Sequence, residues 1–171
     1  MFVTERLQAE SKDDFYRQLR EQAAHLVAGE PNYIANLSNL SALMMQHLSD
    51  VNWVGFYLTD PKREELVLGP FQGLPACLRI PFGRGVCGKA VAEKRPLLVA
   101  DVHEFPGHIA CDSASQSEVV IPLMQRGVVV GVLDIDSPLK SRFDNSDLLG
   151  LEYCAKIAEQ CLTADIPEAL A

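Results

Sequence analysis

Apolar residues recur every three or four positions along the first third of the chain, which is the spacing of one face of an α-helix. A first helix is predicted to begin at the N-cap Ser11 and to end before Gly29, with the apolar stripe Phe15, Leu19, Ala23 and Leu26. A second helix is predicted to have Pro31 in its first turn and to end near Asp50, with the stripe Ile34, Leu37, Leu40, Met44 and Leu48. The pattern therefore predicts two amphipathic helices over about 11–49.

Between residues 52 and 136 the pattern changes to short runs of β-branched and aromatic residues, separated by turn residues. These runs predict strands at 53–58, 66–68, 78–80, 97–100, 118–124 and 128–136. The glycines Gly83 and Gly85 are expected to introduce a brief helix over 86–94, and a long loop is predicted over 101–116. The middle of the chain is therefore predicted to form one mainly antiparallel sheet.

Helical spacing returns at the end of the chain, where a last helix is predicted over about 146–162 with Asp144 as its N-cap. Helices at both ends and a sheet between them predict an α+β fold. A length of 171 residues is that of one ordinary domain, and no repeat or linker divides the sequence. We therefore expect a single domain over 1–171.

Composition excludes several classes of function. The chain is 48% hydrophobic and 22% charged, which is typical of a globular protein rather than a disordered one. A formal net charge of -8 without a basic patch argues against nucleic-acid binding. The longest apolar runs, such as 128–133, are far shorter than the roughly 18–20 residues of a membrane span, and the N-terminus lacks the pattern of a signal peptide. We expect a cytoplasmic protein that binds neither nucleic acid nor membrane.

The five cysteines form no C-x-x-C pair, and their odd number argues against a structural disulfide framework. Cys154 and Cys161 follow the apolar stripe of the last helix, so both are predicted to lie in the core. Cys77, Cys87 and Cys111 instead lie in or beside irregular segments that contain glycine, proline and histidine. Such segments often hold reactive groups, so these three are the candidate redox cysteines.

Two histidines, His103 and His108, precede Cys111 and raise the possibility of a metal site. Their spacing does not match the compact ligand pairs of zinc sites. Structural or hydrogen-bonding roles are favoured over metal binding for both histidines, and no metal is predicted.

Three carboxylates are predicted to meet at one end of the hairpin formed by the last two strands. A three-residue loop that ends in a left-handed glycine would pair Met124 with Val128. Counting outward from that pair places Glu118 opposite Asp134, and strand alternation places Asp136 on the same face. We call Glu118, Asp134 and Asp136 the acid cluster.

Like charges that face each other across two strands destabilise a sheet, so the acid cluster requires an explanation. One explanation is that this end of the hairpin is a solvated surface. If the cluster is buried, the acids could bind a divalent cation or the ammonium group of an amino-acid-like ligand. The spacing alone leaves these alternatives open.

The residues around the candidate cysteines and acids resemble a known family. The segments that carry the resemblance are NWVGFY (52–57), GVCG (85–88), HIACD (108–112), SE (117–118) and GVLDIDS (131–137). They are similar to segments of the free methionine-(R)-sulfoxide reductases, which are enzymes with the GAF fold, and the similarity runs from about residue 53 to 143. A GAF-like pattern alone would indicate only a ligand-binding fold with many uses.

The resemblance implies thiol-dependent reduction of free methionine-(R)-sulfoxide to methionine, with no cofactor and no metal. Cys111 would attack the sulfoxide sulfur and be left as a sulfenic acid. Cys77 is the resolving residue favoured by analogy with the family, and Cys87 is an alternative or a relay. Thioredoxin would then reduce the resulting disulfide.

The acid cluster and two aromatic residues have roles in the same reaction. One carboxyl that keeps its proton could protonate the leaving sulfoxide oxygen, and we assign this role to Asp136. Glu118 and Asp134 would hold the ammonium group of the substrate. Trp53 and Tyr57 would cover the methyl-sulfur end with aromatic surface, although burial in the core is an equally good explanation for Tyr57.

Elementary electrostatics favours a different nucleophile from the one that the resemblance implies. Cys87 is predicted at the start of a short helix, whose N-terminus would lower the pKa of its thiol. Acids near Cys111 would instead raise the pKa of that thiol. The resemblance nevertheless favours Cys111, because it precedes the strand that carries Glu118.

Two other classes of function compete with a reductase. A noncatalytic GAF module would bind a small ligand and signal through a dimer, and a metal-dependent hydrolase would use the three acids. The presence of three candidate redox cysteines beside the acid cluster favours the reductase. GAF precedent also predicts a homodimer.

Overall fold

The computed structural model describes residues 7–107 and 113–162. In chain order the helices and strands of these residues are α1 (Lys12–Val27), α2 (Tyr33–His47), β1 (Trp53–Asp60), β2 (Glu65–Gln72), β3 (Arg79–Pro81), α3 (Gly85–Glu93), β4 (Leu97–Val99), β5 (Ser117–Gln125), β6 (Val128–Ser137) and α4 (Asn145–Cys161). A short 3-10 turn, Val102–Glu104, lies in the segment predicted as a long loop. All the predicted helices and strands are therefore present, with boundaries that differ by a few residues.

The strands form one antiparallel sheet in the order β3-β2-β1-β6-β5-β4, which confirms the predicted α+β class. One face of this sheet packs against α2 and α4, α1 packs against these two helices, and together they enclose the larger hydrophobic core. The opposite face packs against α3 and encloses a smaller core. We call this second face the site face, because it carries the acid cluster.

Side-chain caps fix the starts of the terminal helices. The Ser11 hydroxyl accepts a hydrogen bond from the backbone N–H of Asp14 at 3.1 Å, as the sequence predicts. Asp144 is also the predicted N-cap, and it forms a reciprocal capping box with Asp147. The predicted place of Pro31 in the first turn of α2 is wrong. Asn32 is the N-cap of this helix, because its side chain accepts a hydrogen bond from the backbone N–H of Ala35, so Pro31 lies outside α2.

The β5–β6 hairpin has a tighter turn than the sequence predicts. Gln125 pairs with Val128, so the loop contains only Arg126 and Gly127. Both residues have positive φ, +49° and +81°, which is typical of a type I′ turn. The predicted three-residue loop with Met124 opposite Val128 is therefore wrong. The prediction assumed that only Gly127 is left-handed, whereas Arg126 also adopts this conformation, which residues with a side chain rarely do.

A β-bulge follows the turn and changes the register a second time. Val130 is the extra residue between the pairs Met124–Val129 and Leu123–Gly131. Beyond the bulge Glu118 lies opposite Asp136, so the predicted pairing of Glu118 with Asp134 is wrong. The tighter turn and the bulge each shift the ladder by one residue, and a total shift of two keeps all three acids on one face.

A buried ion-pair network joins α1 to α4. The Asp147 carboxylate, only 1% exposed, accepts hydrogen bonds from the Tyr16 hydroxyl at 2.7 Å and from Lys12 Nζ at 2.9 Å. Arg142 adds a second cation at 3.4 Å. The charge of Asp147 is thus compensated where it is buried, and its contacts fix the two helices against each other.

No helix within the described ranges 7–107 and 113–162 combines the length and the apolar character of a membrane span.

Candidate functional site

Strand pairing brings the acid cluster together on the site face. Glu118 on β5 lies directly opposite Asp136 on β6, and Asp134 is the next residue along β6 on that face. Glu118 and Asp134 are each 6% exposed, whereas Asp136 is half-buried. The alternative of a solvated acidic surface is therefore wrong for Glu118 and Asp134, and the burial of their charge requires a proton or a cation.

Helix α3 covers this cluster and directs a thiol into it. Cys87, which is 3% exposed, lies in the first turn of the helix and donates a hydrogen bond to Glu118 Oε1 at 3.9 Å. Gly88 allows α3 to pack closely against β3, because a Cβ at this position would lie 2.4 Å from the carbonyl oxygen of Pro81. Ligand atoms of Cys87, Glu118 and Asp134 all lie within 4.8 Å of one another.

The burial of Glu118 and Asp134 opposes the ionisation of both carboxyls at once. Burial, followed by the charges of Asp134 and Asp136, raises the pKa of Glu118 well above its ordinary value. Burial also raises the pKa of Asp134, to about 6, although hydrogen bonds from Cys87 and Glu118 lower it. Both shifts therefore favour one proton shared between the two carboxyls over two adjacent negative charges.

The Cys87 thiol is not activated by its position near the start of a helix. Burial raises the pKa of the thiol well above its ordinary value, and the charges of Asp134, Glu118 and Asp136 raise it further. A helix N-terminus offers only about half a positive charge, which is too little to offset burial and three acids. The prediction that Cys87 has a lowered pKa is therefore wrong, and its thiol is protonated at neutral pH.

Aromatic side chains form the wall of the site beside the acids. Trp53 and Tyr57 are 2% and 1% exposed, and their rings stack with centroids 5.8 Å apart. Phe71 of β2 stacks on the other side of Trp53 at 5.3 Å, and the indole N–H donates to the carbonyl oxygen of Leu74 at 3.1 Å. Burial and the nearby Asp134 raise the pKa of Tyr57, so its phenol keeps its proton. These contacts fix both predicted aromatic residues on the site face.

Two residues of this wall were not identified from the sequence. Phe71 stacks on Trp53, and its only sequence signal is an aromatic residue in a strand. Gly55 lies opposite Asp134 in the ladder, and a Cβ at Gly55 would lie 2.5 Å from the Trp53 ring. The missing side chain therefore leaves the space that the indole fills, which a glycine inside a strand pattern could have indicated.

Four of the five cysteines lie within the described residues. Cys154 and Cys161 are buried and free, and both lie in the larger core, which confirms the predicted core positions. Cys87 is also free. Cys77 is half-buried between β2 and β3 and is disulfide-bonded. Cys111, the predicted nucleophile, lies outside the described residues.

Of the two histidines named from the sequence, the structure describes only His103. His103 is exposed in the 3-10 turn, where its backbone N–H bonds the side chain of Asp101 at 3.0 Å. His108 lies outside the described residues.

Comparison with known proteins gives consistent similarities. The sequence profile of the GAF domain matches residues 32–162. The chain is 51% identical to Protein YtsP of Bacillus subtilis, over 95% of this chain and 99% of that protein. It is 49% identical to the free methionine-R-sulfoxide reductase of Escherichia coli, over 89% of this chain and 91% of that protein. The X-ray structure of free methionine-R-sulfoxide reductase from Neisseria meningitidis, in complex with its substrate, matches with a TM-score of 0.91 and 46% identity, over 96% of this chain and 97% of that chain.

Proposed function

Because the chain belongs to the GAF-domain family and, within it, to the free methionine-R-sulfoxide reductases, we propose that it reduces free L-methionine-(R)-sulfoxide to L-methionine by thiol chemistry. The observation that carries the proposal is the buried Glu118–Asp134 pair, which lies beside the stacked rings of Trp53 and Tyr57. Acids and aromatic surface on one face of the sheet match a ligand with a cationic end and an apolar sulfur end.

The ammonium group of the substrate is proposed to bind Glu118 and Asp134. The raised pKa values of these two buried carboxyls favour a proton shared between them. An ammonium ion supplies a full positive charge and several N–H donors, so it can replace that proton and donate hydrogen bonds to both carboxylates. An amide nitrogen within a peptide chain carries no charge, which gives the pocket a reason to select the free amino acid.

Asp136 is proposed to protonate the sulfoxide oxygen. It follows Asp134 on the same face of β6, and it is more exposed than the two carboxyls that we assign to the ammonium group. The sulfoxide oxygen leaves only when it is protonated, so the reaction needs a nearby acid. The half-buried position allows Asp136 to exchange its proton with solvent between turnovers.

Trp53 and Tyr57 are proposed to hold the methyl-sulfur end of the substrate. Sulfur makes favourable contacts with aromatic rings, and both rings are held rigidly by stacking and burial. The protonated Tyr57 phenol keeps a hydrogen-bond donor in the same pocket.

Cys111 is proposed as the nucleophile. Its thiolate attacks the sulfoxide sulfur and forms an S–S bond while the sulfoxide oxygen takes up a proton. The resulting hydroxyl then passes to the Cys111 sulfur as the S–O and S–S bonds break, so methionine leaves with the electron pair and Cys111 becomes a sulfenic acid. Cys77 then attacks the sulfenic sulfur, which releases water and forms an intramolecular disulfide. Support comes from Cys77, which is disulfide-bonded, whereas Cys87, Cys154 and Cys161 are free.

Cys87 is proposed as an alternative resolving thiol or a relay rather than as a nucleophile. Its free, buried thiol donates a hydrogen bond to Glu118 and lies among acids that disfavour the thiolate. A thiol of this kind reacts slowly unless a neighbouring sulfenic acid or disulfide comes within reach.

The electrons are proposed to come from thioredoxin, whose two thiols would reduce the disulfide and restore the enzyme. A reducing cytoplasm would support this cycle and would keep the three buried thiols reduced. Homodimer formation is proposed from GAF precedent, and light scattering on the purified protein tests it. The substrate and the reductant are the two partners that the cycle requires.

Single-turnover assays on cysteine variants test the thiol roles. The reduced wild type should release one methionine per chain from the R epimer of the free sulfoxide and none from the S epimer. Cys111→Ser should release none, whereas Cys77→Ser should keep the single turnover and lose most thioredoxin-supported cycling. Cys161→Ala is the matched control and should behave as wild type. Release that persists in Cys111→Ser and disappears in Cys87→Ser would assign the nucleophile to Cys87 instead.

A second assay tests the recognition of the ammonium group. N-acetylmethionine sulfoxide differs from the substrate mainly by a neutral amide nitrogen, so its kcat/KM should be lower by about 30-fold or more. Equal turnover of the free and the acetylated sulfoxide would remove the proposed ammonium site. Asp136→Asn should lower mainly kcat, by about 10²- to 10⁴-fold, as expected for loss of a general acid.

A further inference from the structure

The deepest part of the site face contains a mixed set of metal-ligand atoms. One thiol and two carboxyls, from Cys87, Glu118 and Asp134, each offer an atom, and these atoms lie within 4.8 Å of one another. Three points at such separations all fit within about 2.8 Å of a common centre, and zinc binds thiolate at about 2.3 Å and carboxylate at about 2.0–2.2 Å. Contraction by less than about 1 Å at each atom would therefore complete three coordination bonds.

A separate observation indicates that this group of atoms lacks a ligand. Asp134 is 6% exposed, and its Oδ1 atom is buried without a hydrogen-bond partner. A buried acceptor that is left unpaired costs free energy, and Asp134 makes no ion pair with a lysine or arginine of the described ranges. The orphaned oxygen belongs to the same carboxylate that contributes to the mixed ligand set.

We propose that Cys87, Glu118 and Asp134 form a binding site for one Zn²⁺ ion, which occupies the site face reversibly and excludes the substrate. The donor chemistry selects the metal, because Mg²⁺ and Ca²⁺ require six or more oxygen ligands, whereas Zn²⁺ accepts one thiolate and two carboxylates in tetrahedral geometry. Water or a ligand would take the fourth position.

Zinc binding needs no redox step. The Cys87 thiol gives up its proton to solvent as its sulfur bonds the metal, and the proton between Glu118 and Asp134 is released in the same way. Two carboxylates and one thiolate carry three negative charges, of which the ion neutralises two. The net charge of the three side chains with the ion is therefore about the same as that of their protonated forms without it, and the metal gives the unpaired Asp134 oxygen a direct partner.

Binding of zinc and binding of substrate should exclude each other, because both use the same two carboxylates. This competition rests on the proposed function, whereas zinc binding itself does not. The site is inhibitory in this proposal, and it differs from a catalytic metal centre because removal of zinc should increase reductase activity rather than abolish it.

Cobalt titration of the untagged, full-length protein tests the site directly. The protein should be oxidised until a thiol reagent finds three thiols per unfolded chain, so that two of its five cysteines are held in a disulfide. Addition of Co²⁺ should give one-to-one binding with a sulfur-to-cobalt charge-transfer band and the visible bands of tetrahedral cobalt. Zn²⁺ should displace the cobalt and remove both signals.

Three variants identify the ligands. Cys87→Ser should remove the charge-transfer band, and Asp134→Asn should weaken zinc binding by at least about 100-fold while it retains the shape of the side chain. Cys161→Ala, which lies in the other core, should bind cobalt as wild type does. Circular dichroism identifies any variant that has not folded, and Asp134→Asn then tests the proposal without loss of the thiol.

Several results would overturn the site. Absence of one-to-one binding by the oxidised wild type would do so, as would a charge-transfer band that survives in Cys87→Ser or unchanged zinc affinity in Asp134→Asn. In the reductase assay Zn²⁺ should raise KM without changing kcat, and a chelator should reverse the effect. A protein that binds zinc but reduces no methionine sulfoxide would retain the metal site and refute only the proposed function.

Discussion

Two buried aspartates in this chain have opposite surroundings. Asp147 is 1% exposed and meets Lys12, Arg142 and the Tyr16 hydroxyl, so two cations and a neutral donor surround its carboxylate. Asp134 is 6% exposed, and the hydrogen bonds that lower its pKa come from a thiol, a carboxyl and a backbone N–H. Lysine and arginine side chains balance the charge of Asp147, whereas the donors that face Asp134 carry no positive charge.

The comparison separates a structural acid from a binding acid. Asp147 lies in the first turn of α4, where the helix N-terminus favours a negative charge, and its contacts join α4 to α1. Asp134 lies in the middle of the sheet beside two further acids, so its burial opposes folding. A protein tolerates such an arrangement when an external cation completes it, which is the role that we assign to the ammonium group of the substrate.

The largest expected difference between the two acids is in activity. Asp134→Asn should lower kcat/KM by about 30- to 5,000-fold, mainly through KM, because a buried charge pair with the ammonium group is worth about 2–5 kcal/mol. The free energy of unfolding should stay constant or increase, since the change relieves repulsion within the acid cluster. Steady-state kinetics and urea unfolding measure the two effects. A variant that keeps full activity would end the distinction between the two aspartates.

The converse substitution should affect stability alone. Asp147→Asn removes the negative charge that faces Lys12 and Arg142 and one of the two acceptor oxygens, and it should lower the free energy of unfolding by about 2 kcal/mol. The estimate is modest because Lys12 is 41% exposed and can be hydrated again. Activity per folded molecule should equal that of wild type. Urea unfolding with an assay at low denaturant tests both parts, and a loss of activity without a loss of stability would reverse the assignment.

The surroundings of Asp134 also predict the reactivity of a neighbouring thiol. Burial and the acid cluster raise the pKa of Cys87, so alkylation of folded, oxidised protein at neutral pH should be at least about tenfold slower than that of a free cysteine. Asp134→Asn should accelerate the reaction because one of the charges is removed. Mass spectrometry of the peptide that contains Cys87 gives the rate. Fast alkylation in the wild type would instead support the hypothesis from the sequence that the helix N-terminus lowers the pKa of Cys87.

The smallest effect concerns the exposed neighbour of Asp147. Hydrogen bonding to Lys12 lowers the pKa of Asp144 from 3.8 to about 2, and the ion pair is 2.8 Å long. A lowered pKa in the folded state stabilises the protein above pH 3.8, and this contribution is lost as the pH falls through about 2. Solvent screens the pair, so Asp144→Asn should cost at most about 0.5 kcal/mol at pH 7. Measured at pH 7, 3 and 2, the difference in the free energy of unfolding between wild type and Asp144→Asn should decrease and disappear. A difference that stays constant would exclude the ion pair as its cause.

Much of the fold could be predicted because its signals are local. Ser11 and Asp144 cap their helices with their own side chains, and Cys154 follows an apolar stripe into the core. The register of the hairpin could not be predicted, because it depends on Arg126 taking a left-handed conformation and on a bulge at Val130. Neither feature has a distinctive signal in a run of three valines.

The sequence predicted which described residues share the site face better than it predicted their pairing and their pKa values. The acids and the aromatic residues do meet on one face, although Glu118 pairs with Asp136 rather than with Asp134. The pKa of Cys87 was predicted in the wrong direction, because the helix start is visible in the sequence whereas the depth of burial is not. Long-range packing decides that balance, so only the folded structure gives it.

The bulge at Val130 has a consequence for how the length of this hairpin can change in evolution. Without it, the two-residue turn would place Glu118 opposite Ile135, and the glutamate would point away from both aspartates. A deletion or insertion of a single residue that the hairpin absorbs in its register would therefore split the acid cluster between the two faces of the sheet. Changes of two residues would preserve it. We expect related active proteins to vary in hairpin length by even numbers, or to accompany each odd change with the gain or loss of a bulge.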